Sequence, residues 1–170
     1  MRRMRFSAAV SLDGYIAGPN GEHDWIVMDP DLDFGAFMGS FDSVLLGRKT
    51  FEATRGQGGG GMPGIGTFVL SRTLRPEECP GVTVCNNLRE TVAELKSTPG
   101  KDIWLFGGGE LFASALEQRL VDSVELAVIP VLLGAGTKLL PHPAGLAKLR
   151  LMNYRIYPKT GTVSLEYAPA

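Results

Sequence analysis

The sequence predicts a three-layer α/β fold, in which helices cover both faces of a mixed, mostly parallel central sheet. Short apolar runs alternate with helical patterns as far as residue 120, as in parallel strands joined by helices. Two of these runs end in glycine directly before a helix, and after residue 122 only strand-like segments follow. The last two, 149–157 and 162–167, flank Lys159-Thr160-Gly161 and predict a C-terminal antiparallel hairpin.

The first elements are delimited by turn residues. A strand over 6–12 ends at the turn pair Asp13-Gly14, and a second strand over 15–17 ends at Gly18-Pro19-Asn20-Gly21. A helix is predicted over 31–40, because apolar residues recur at helical spacing and Pro30 precedes them.

The middle of the chain alternates strands and helices. Strands are predicted at 43–46, 67–70, 82–85 and 102–106, and helices from residue 49, over 88–96 and over 110–120. Residues 56–66 contain seven glycines and one proline, which indicates a flexible surface loop. A strand-like run over 123–133 ends at Gly134-Ala135-Gly136.

Size and composition exclude several classes of protein. The 170 residues suit a single domain over 1–170, and a net charge of −1 gives no basic field for nucleic acid. No stretch approaches the roughly 20 apolar residues of a membrane span. The basic start is followed too soon by Asp13-Gly14 for a signal peptide. Cys79 and Cys85 are too few for a disulfide framework or a zinc site. We therefore expect a cytoplasmic protein without a metal.

The two strand–glycine–helix junctions carry the first functional signal. They read Val44-Leu45-Leu46-Gly47-Arg48-Lys49-Thr50 and Ile103-Trp104-Leu105-Phe106-Gly107-Gly108-Gly109-Glu110-Leu111-Phe112. Glycine lets a ligand approach the backbone, and the free N–H groups at a helix start attract anions. Two such junctions predict an extended ligand with more than one phosphate, such as a dinucleotide.

A third strand end, Ser71-Arg72-Thr73, adds a cation and two hydroxyls. Ligands of open α/β sheets bind beyond the carboxyl ends of strands, so these groups favour a phosphate site. The glycine run is not the dinucleotide fingerprint G-x-G-x-x-G, because Phe112 stands where its third glycine would fall. A tight turn before a helix and solvated surface arginines are the structural alternatives.

These motifs resemble those of the dihydrofolate reductase fold, in the same order, at 47–52, 70–72 and 106–109. Two further segments, 11–17 and 129–134, are more similar to the reductase domain of bacterial riboflavin biosynthesis. The resemblance covers about Phe6 to Leu140 and is closest to stand-alone RibD C-terminal reductase domain proteins. It implies a dihydrofolate reductase-like fold over the whole chain.

The resemblance also implies NADPH as cofactor. Arg48, Ser71 and Arg72 would hold the 2′-phosphate, a dianion that NADH lacks, and charge-assisted hydrogen bonds there would favour NADPH. Thr50 and the triple glycine would lie at the pyrophosphate, and Ala9 and Ile16 at the nicotinamide. The implied cofactor-binding residues are Ala9, Ile16, Gly47, Arg48, Thr50, Ser71, Arg72, Gly107, Gly108, Gly109, Glu110 and Leu111.

The implied reaction is hydride transfer to a small heterocycle of pyrimidine or pterin type, as in 5-amino-6-(5-phosphoribosylamino)uracil reductase. Asp31 matches the single active-site acid of dihydrofolate reductases, although an aspartate at a helix start is also a common cap. Trp25 matches a substrate-loop tryptophan, with core packing as the alternative. Relatives often form homodimers through the sheet, and the apolar segment 128–140 would suit such an edge.

Departures from the family patterns leave other functions open. Ile65 stands where folate enzymes place an arginine for the glutamate tail, and Ala127 where they place a threonine. Residues 55–61 replace an acidic, proline-containing segment of the riboflavin enzymes, and their usual deaminase zinc motifs are missing. The alternatives are a true dihydrofolate reductase, a non-catalytic NADP(H)-binding protein of the same fold, or a binder of a phosphosugar or mononucleotide.

Overall fold

The structure, a computed structural model, describes residues 1–55, 61–142 and 145–170. Within these ranges the strands are Met4–Ser11 (β1), Tyr15–Ala17 (β2), Phe41–Gly47 (β3), Gly66–Leu70 (β4), Thr83–Cys85 (β5), Asp102–Gly107 (β6), Ser123–Ile129 (β7), Thr137–Lys138 (β8), Leu149–Tyr157 (β9) and Thr162–Pro169 (β10). The α-helices are Phe34–Gly39 (α1), Arg48–Arg55 (α2), Leu88–Ser97 (α3) and Gly109–Glu117 (α4). A short 3-10 helix spans Pro76–Glu78.

Eight strands form the main sheet, in the order β5-β4-β3-β6-β1-β7-β10-β9. The strands from β5 to β7 in this order are parallel, whereas β10 pairs antiparallel with both β7 and β9. The strands β2 and β8 form a separate antiparallel pair. Because parallel strands share a direction, the carboxyl ends of β4, β3, β6 and β1 lie side by side at one edge of the sheet.

Apolar side chains alternate between two core clusters, one on each face of the sheet. On β6, Ile103 and Leu105 join the cluster beneath α3 and α4, whereas Trp104 joins the cluster beneath α1 and α2. Phe6 of β1 stacks on Phe112 of α4 with ring centroids 3.6 Å apart. Helices therefore cover both faces, and the predicted three-layer fold with its C-terminal hairpin is confirmed.

The largest local difference from the sequence prediction lies at α1. The helix was expected to begin at residue 31, but it begins at Phe34. Its cap is Asp33, whose carboxylate accepts a hydrogen bond of 2.8 Å from the Ala36 N–H. Asp31 consequently lies in the turn before the helix, outside its capping position.

Two other segments differ in extent or place. The strand expected over 123–133 ends at Ile129, where Pro130 follows. The apolar segment 128–140 does not form an edge of the main sheet, because β7 lies between β1 and β10 and the edge strands of that sheet are β5 and β9. The predicted glycine loop 56–66 falls partly on 56–60, outside the described residues, and its last residue, Gly66, begins β4.

Candidate functional site

The two glycine junctions meet at the carboxyl edge of the sheet. Gly47 ends β3 and Gly107 ends β6, and the two strands are neighbours. A Cβ atom on Gly47 would lie 3.8 Å from the Gly107 carbonyl oxygen, and one on Gly108 would lie 3.2 Å from Thr50 Oγ1. The peptide bond between Gly107 and Gly108 is cis. The two motifs that are sixty residues apart in the sequence thus form one surface.

Two helices begin at this surface. The first, α2, starts at Arg48, and the second, α4, starts at Gly109. The first N–H groups of a helix have no partner within it and carry partial positive charge, so both helix starts favour an anion. This arrangement supplies backbone donors from two helices at one surface.

Arg48 joins the start of α2 to the turn that follows β4. Its Nη1 donates to Thr73 Oγ1 at 2.9 Å, and its Nε lies 3.8 Å from the Glu52 carboxylate. Ser71 accepts hydrogen bonds from the backbone N–H groups of Thr73 and Leu74, at 3.1 and 3.0 Å. The three strand ends expected to bind phosphate therefore lie together, with Arg72 exposed beside them.

Two adjoining grooves of about 450 and 440 Å³ open beside this turn. Both are lined by Ser71, Arg72, Asn86 and Asn87; the second extends to Leu111 of α4. Asn86 and Asn87 were not among the predicted site residues. Their signal in the sequence was their position directly after the strand 82–85, at the same edge as the other strand ends.

Gly109, the last of the three glycines, has no room for a side chain. A Cβ atom there would lie 2.8 Å from both the Leu139 carbonyl oxygen and Pro141 Cδ. A side chain at this position would therefore displace the segment that crosses the start of α4. The next residue, Glu110, is exposed, with its carboxylate 3.9 Å from His142 Nε2.

The two residues predicted for the nicotinamide lie on β1 and β2. Ala9 is half-buried and pairs with Ala127 of β7, so both of these small side chains point to the same face of the sheet. Ile16 is half-buried in the middle of β2. Between them, the carboxylate of Asp13 accepts hydrogen bonds that lower its pKa to about 2, chiefly from the Ser11 hydroxyl and the Gly134 N–H. Sequence reasoning treated Asp13 only as a turn residue.

Asp31 lies near the tip of the C-terminal hairpin. Its Oδ1 is 2.9 Å from Lys159 Nζ, and both side chains are about half exposed. Asp29 is buried and accepts hydrogen bonds from the Asp31 N–H at 2.9 Å and from the Thr160 hydroxyl at 2.9 Å. Burial raises the pKa of Asp29, but the hydrogen bonds from Asp31 and Thr160 outweigh burial and hold the pKa below its usual range. These contacts fix the turn that precedes α1.

Trp25 and Ile65 are both held by contacts within the chain. Trp25 is partly buried, and its indole Nε1 donates to the Glu22 carbonyl oxygen at 2.9 Å. Ile65 packs against the core cluster beneath α1 and α2. An apolar side chain held in this way cannot bind the carboxylate tail of a folate.

Two kinds of feature are missing from the described residues. None of the helices there has both the length and the apolar character needed to cross a membrane. In the same ranges, His, Cys, Asp and Glu side chains nowhere gather in groups of three or more that could hold a metal ion.

Comparisons with known proteins agree with this architecture. Protein YyaP of Bacillus subtilis (strain 168), described as uncharacterized, is 35% identical over 98% of this chain and 94% of its own length. A dihydrofolate reductase from Enterococcus faecalis complexed with NADP(H) and RAB-propyl superposes with a TM-score of 0.71 at 19% identity, over 98% of this chain and 96% of that one.

A bifunctional protein from Thermotoga maritima is also similar in fold. It is a diaminohydroxyphosphoribosylaminopyrimidine deaminase and 5-amino-6-(5-phosphoribosylamino)uracil reductase. It superposes with a TM-score of 0.72 at 17% identity, over 99% of this chain and 57% of that one. The family model of the RibD C-terminal domain matches residues 2–161. The chain therefore belongs to the RibD C-terminal domain family, whose fold is like that of dihydrofolate reductase.

Proposed function

We propose that this protein is an NADPH-dependent reductase that transfers a hydride to a small heterocyclic substrate of pyrimidine or pterin type. The observation that carries the proposal is the meeting of Gly47 and Gly108 at the starts of two helices, next to Arg48. Two structural relatives support it. The Enterococcus faecalis reductase is complexed with NADP(H), and the Thermotoga maritima protein is a 5-amino-6-(5-phosphoribosylamino)uracil reductase.

The donors at this edge fit a dinucleotide phosphate. The N–H groups at the starts of α2 and α4, with Gly108 and Thr50 between them, would hold the pyrophosphate. Arg48, Ser71 and Arg72 would hold the 2′-phosphate, because a guanidinium forms strong charge-assisted hydrogen bonds with phosphate oxygens. Asn86 and Asn87 line both grooves beside Arg72 and would complete the wall against the adenosine.

The bound cofactor would supply the hydride, and the chain would orient it and manage a proton. Ala9 and Ile16 would form the apolar wall against the nicotinamide, and Trp25 would contact the substrate. Asp31 is our proposed proton-managing residue. Lys159 holds its carboxylate at the carboxyl edge of the sheet, near the turn between β9 and β10.

One observation favours a second candidate, a non-catalytic NADP(H)-binding protein. The same ion pair with Lys159 gives Asp31 a structural role that needs no chemistry. A true dihydrofolate reductase is disfavoured by Ile65 in the core and by Ala127 opposite Ala9.

We also propose that the protein is a homodimer that associates through β9. This edge strand exposes apolar side chains, and Leu151, Tyr154 and Ile156 stand opposite three β10 residues that share one face. Their exposed fractions are 49%, 63% and 61%. Exposed apolar edges of this kind promote self-association, and a second copy would bury the same face symmetrically.

The reductase proposal is tested by NADPH oxidation with a panel of oxidised pyrimidines and pterins, followed through the nicotinamide absorbance. Turnover with one of them is the expected result. Tight NADPH binding without turnover of any acceptor would instead favour the non-catalytic protein. Absence of NADPH binding would leave only a phosphosugar or mononucleotide ligand.

A further inference from the structure

Residues 131–141, here called the strap, connect two parts of the proposed cofactor site. On one side, β8 within the strap pairs with β2, so that Lys138 lies opposite Tyr15 and Thr137 opposite Ala17. On the other side, the strap lies over Gly109, where a Cβ atom would be 2.8 Å from the Leu139 carbonyl oxygen. The strap therefore fixes the distance between the strand that carries Ile16 and the start of α4.

The carboxylate of Asp13 is a side-chain anchor of the strap. Its Oδ1 accepts from the Leu133 N–H at 3.1 Å, and its Oδ2 accepts from the Gly134 N–H at 2.8 Å. Oδ1 also accepts from the Ser11 hydroxyl at 2.7 Å, and Ser11 is only 2% exposed. The Ser11 oxygen in turn accepts from the Tyr15 N–H at 2.9 Å. One carboxylate thus links the end of β1, the start of β2 and the strap.

Two backbone hydrogen bonds hold the strap on either side of this anchor. Between them, the N–H groups of Leu133 and Gly134 donate to the carboxylate. The Leu12 N–H donates to Val131 O, and the Leu139 N–H donates to Gly14 O, both at 2.9 Å. Gly134 itself has a φ of +73°, a conformation that favours glycine and that turns the chain within the strap. Without an acceptor at position 13, the N–H groups of Leu133 and Gly134 would lose their protein partner.

We propose that Asp13 is a positioning residue, which holds the strap so that Ile16 and the start of α4 keep their places around the nicotinamide and pyrophosphate. The inference rests on the proposed NADPH site. Asp13 is not a proton donor in this scheme, since its oxygens are occupied by donors of its own chain.

The sheet order separates this anchor from the 2′-phosphate end of the site. Arg48 follows β3 and Arg72 follows β4, whereas Asp13 follows β1, on the other side of β6. Loss of the anchor should therefore weaken the binding of the nicotinamide and the pyrophosphate, but not the binding of the 2′-phosphate. A residue that merely stabilised the fold would affect the binding of both parts of the cofactor alike.

The experiment measures the affinities of NADPH and of adenosine 2′-monophosphate, which lacks both the pyrophosphate and the nicotinamide, for wild type, Asp13→Asn and Asp13→Ala. Asparagine keeps the volume but cannot accept from both strap N–H groups. We expect NADPH to bind about tenfold more weakly to both variants, with the affinity for the monophosphate changed by less than about twofold. Asp24→Ala, which removes an exposed carboxylate eleven residues further on, should match wild type.

The outcomes separate this inference from the proposed function. If wild type binds neither probe, the NADPH site itself is wrong, and the inference falls with it. If wild type binds both and Asp13→Asn binds NADPH equally well, only the inference is overturned. A parallel loss of both probes would also overturn it, because it would show a general loss of stability. Should Asp13→Ala fail to fold, Asp13→Asn carries the same expectation.

Discussion

The guanidinium of Arg48 and the hydroxyl of Thr73 are joined by a hydrogen bond of 2.9 Å between helix α2 and the turn after β4. The bond holds a flexible cation against the turn that contains Ser71 and Arg72, two residues that line the groove. A cation that is already in place loses less conformational entropy when it binds a phosphate. The proposed preference for NADPH follows from this geometry.

Removal of the Thr73 hydroxyl should weaken that preference. In Thr73→Val the side chain keeps its shape but cannot accept from Arg48. We expect NADPH affinity to fall about threefold to tenfold, with NADH affinity unchanged, because one hydrogen bond to a charged group is lost. Parallel titrations measure both affinities, and Thr83→Val, an exposed threonine on β5, is the matched control. Equal loss for both cofactors would contradict the role of the bond.

Alanine at Gly109 should destabilise the fold. Its Cβ would stand 2.8 Å from the Leu139 carbonyl oxygen, a backbone atom that cannot move without the strap. We expect a loss of about 1–3 kcal/mol in the free energy of unfolding, measured by urea denaturation. Gly47→Ala is the control, since its nearest neighbour would lie at 3.8 Å. A Gly109→Ala variant as stable as Gly47→Ala would show that the strap does not restrict this position.

Replacement of Asp31 should slow hydride transfer without weakening cofactor binding. If Asp31 manages the proton, Asp31→Asn lowers kcat by about 10²-fold or more once a substrate is known. NADPH affinity should stay at the wild-type value, because Asp31 lies by the hairpin tip and the groove is lined by other residues. Lys159→Met, which removes only the partner, should have a smaller effect. Unchanged turnover in Asp31→Asn would leave Asp31 with a structural role alone.

A charge on the apolar face of β9 should dissociate the dimer. Ile156→Asp places a carboxylate on a side chain that is 61% exposed in the single chain and would be buried by the partner. Light scattering at micromolar concentration should give twice the chain mass for wild type and the chain mass for the variant. Asn153→Asp puts the same charge on the opposite face and should remain dimeric. A monomeric wild type would refute the interface.

The fold was predictable because each element carries its own local signal. The parallel strands are short apolar runs, and the helices between them show apolar residues at a spacing that only a helix brings to one face. The same local logic failed at α1. Asp29, Asp31 and Asp33 all stand near its start, and only the backbone conformation selects Asp33 as the cap.

The parts of the site that sequence reasoning missed depend on contacts distant in the sequence. Asp13 meets Leu133 and Gly134 across 120 and 121 residues, and no local pattern reports such a contact. Asn86 precedes helix α3 and Asn87 caps it, and neither role reveals that the sheet order places both residues beside Arg72. Likewise, the apolar residues of β9 resemble those of an interior strand, because alternation does not reveal whether a strand has a neighbour on both sides.

The proposed NADPH site at the meeting of the two glycine junctions can be tested by calorimetric titration of wild type and Arg48→Ala with NADPH and NADH. Arg55→Ala, at the other end of α2, is the control. We expect wild type to bind NADPH at least about tenfold more tightly than NADH, and Arg48→Ala to lose most of that difference. Equal affinity of wild type for the two cofactors would contradict the assignment of Arg48, and binding of neither would contradict the cofactor site altogether.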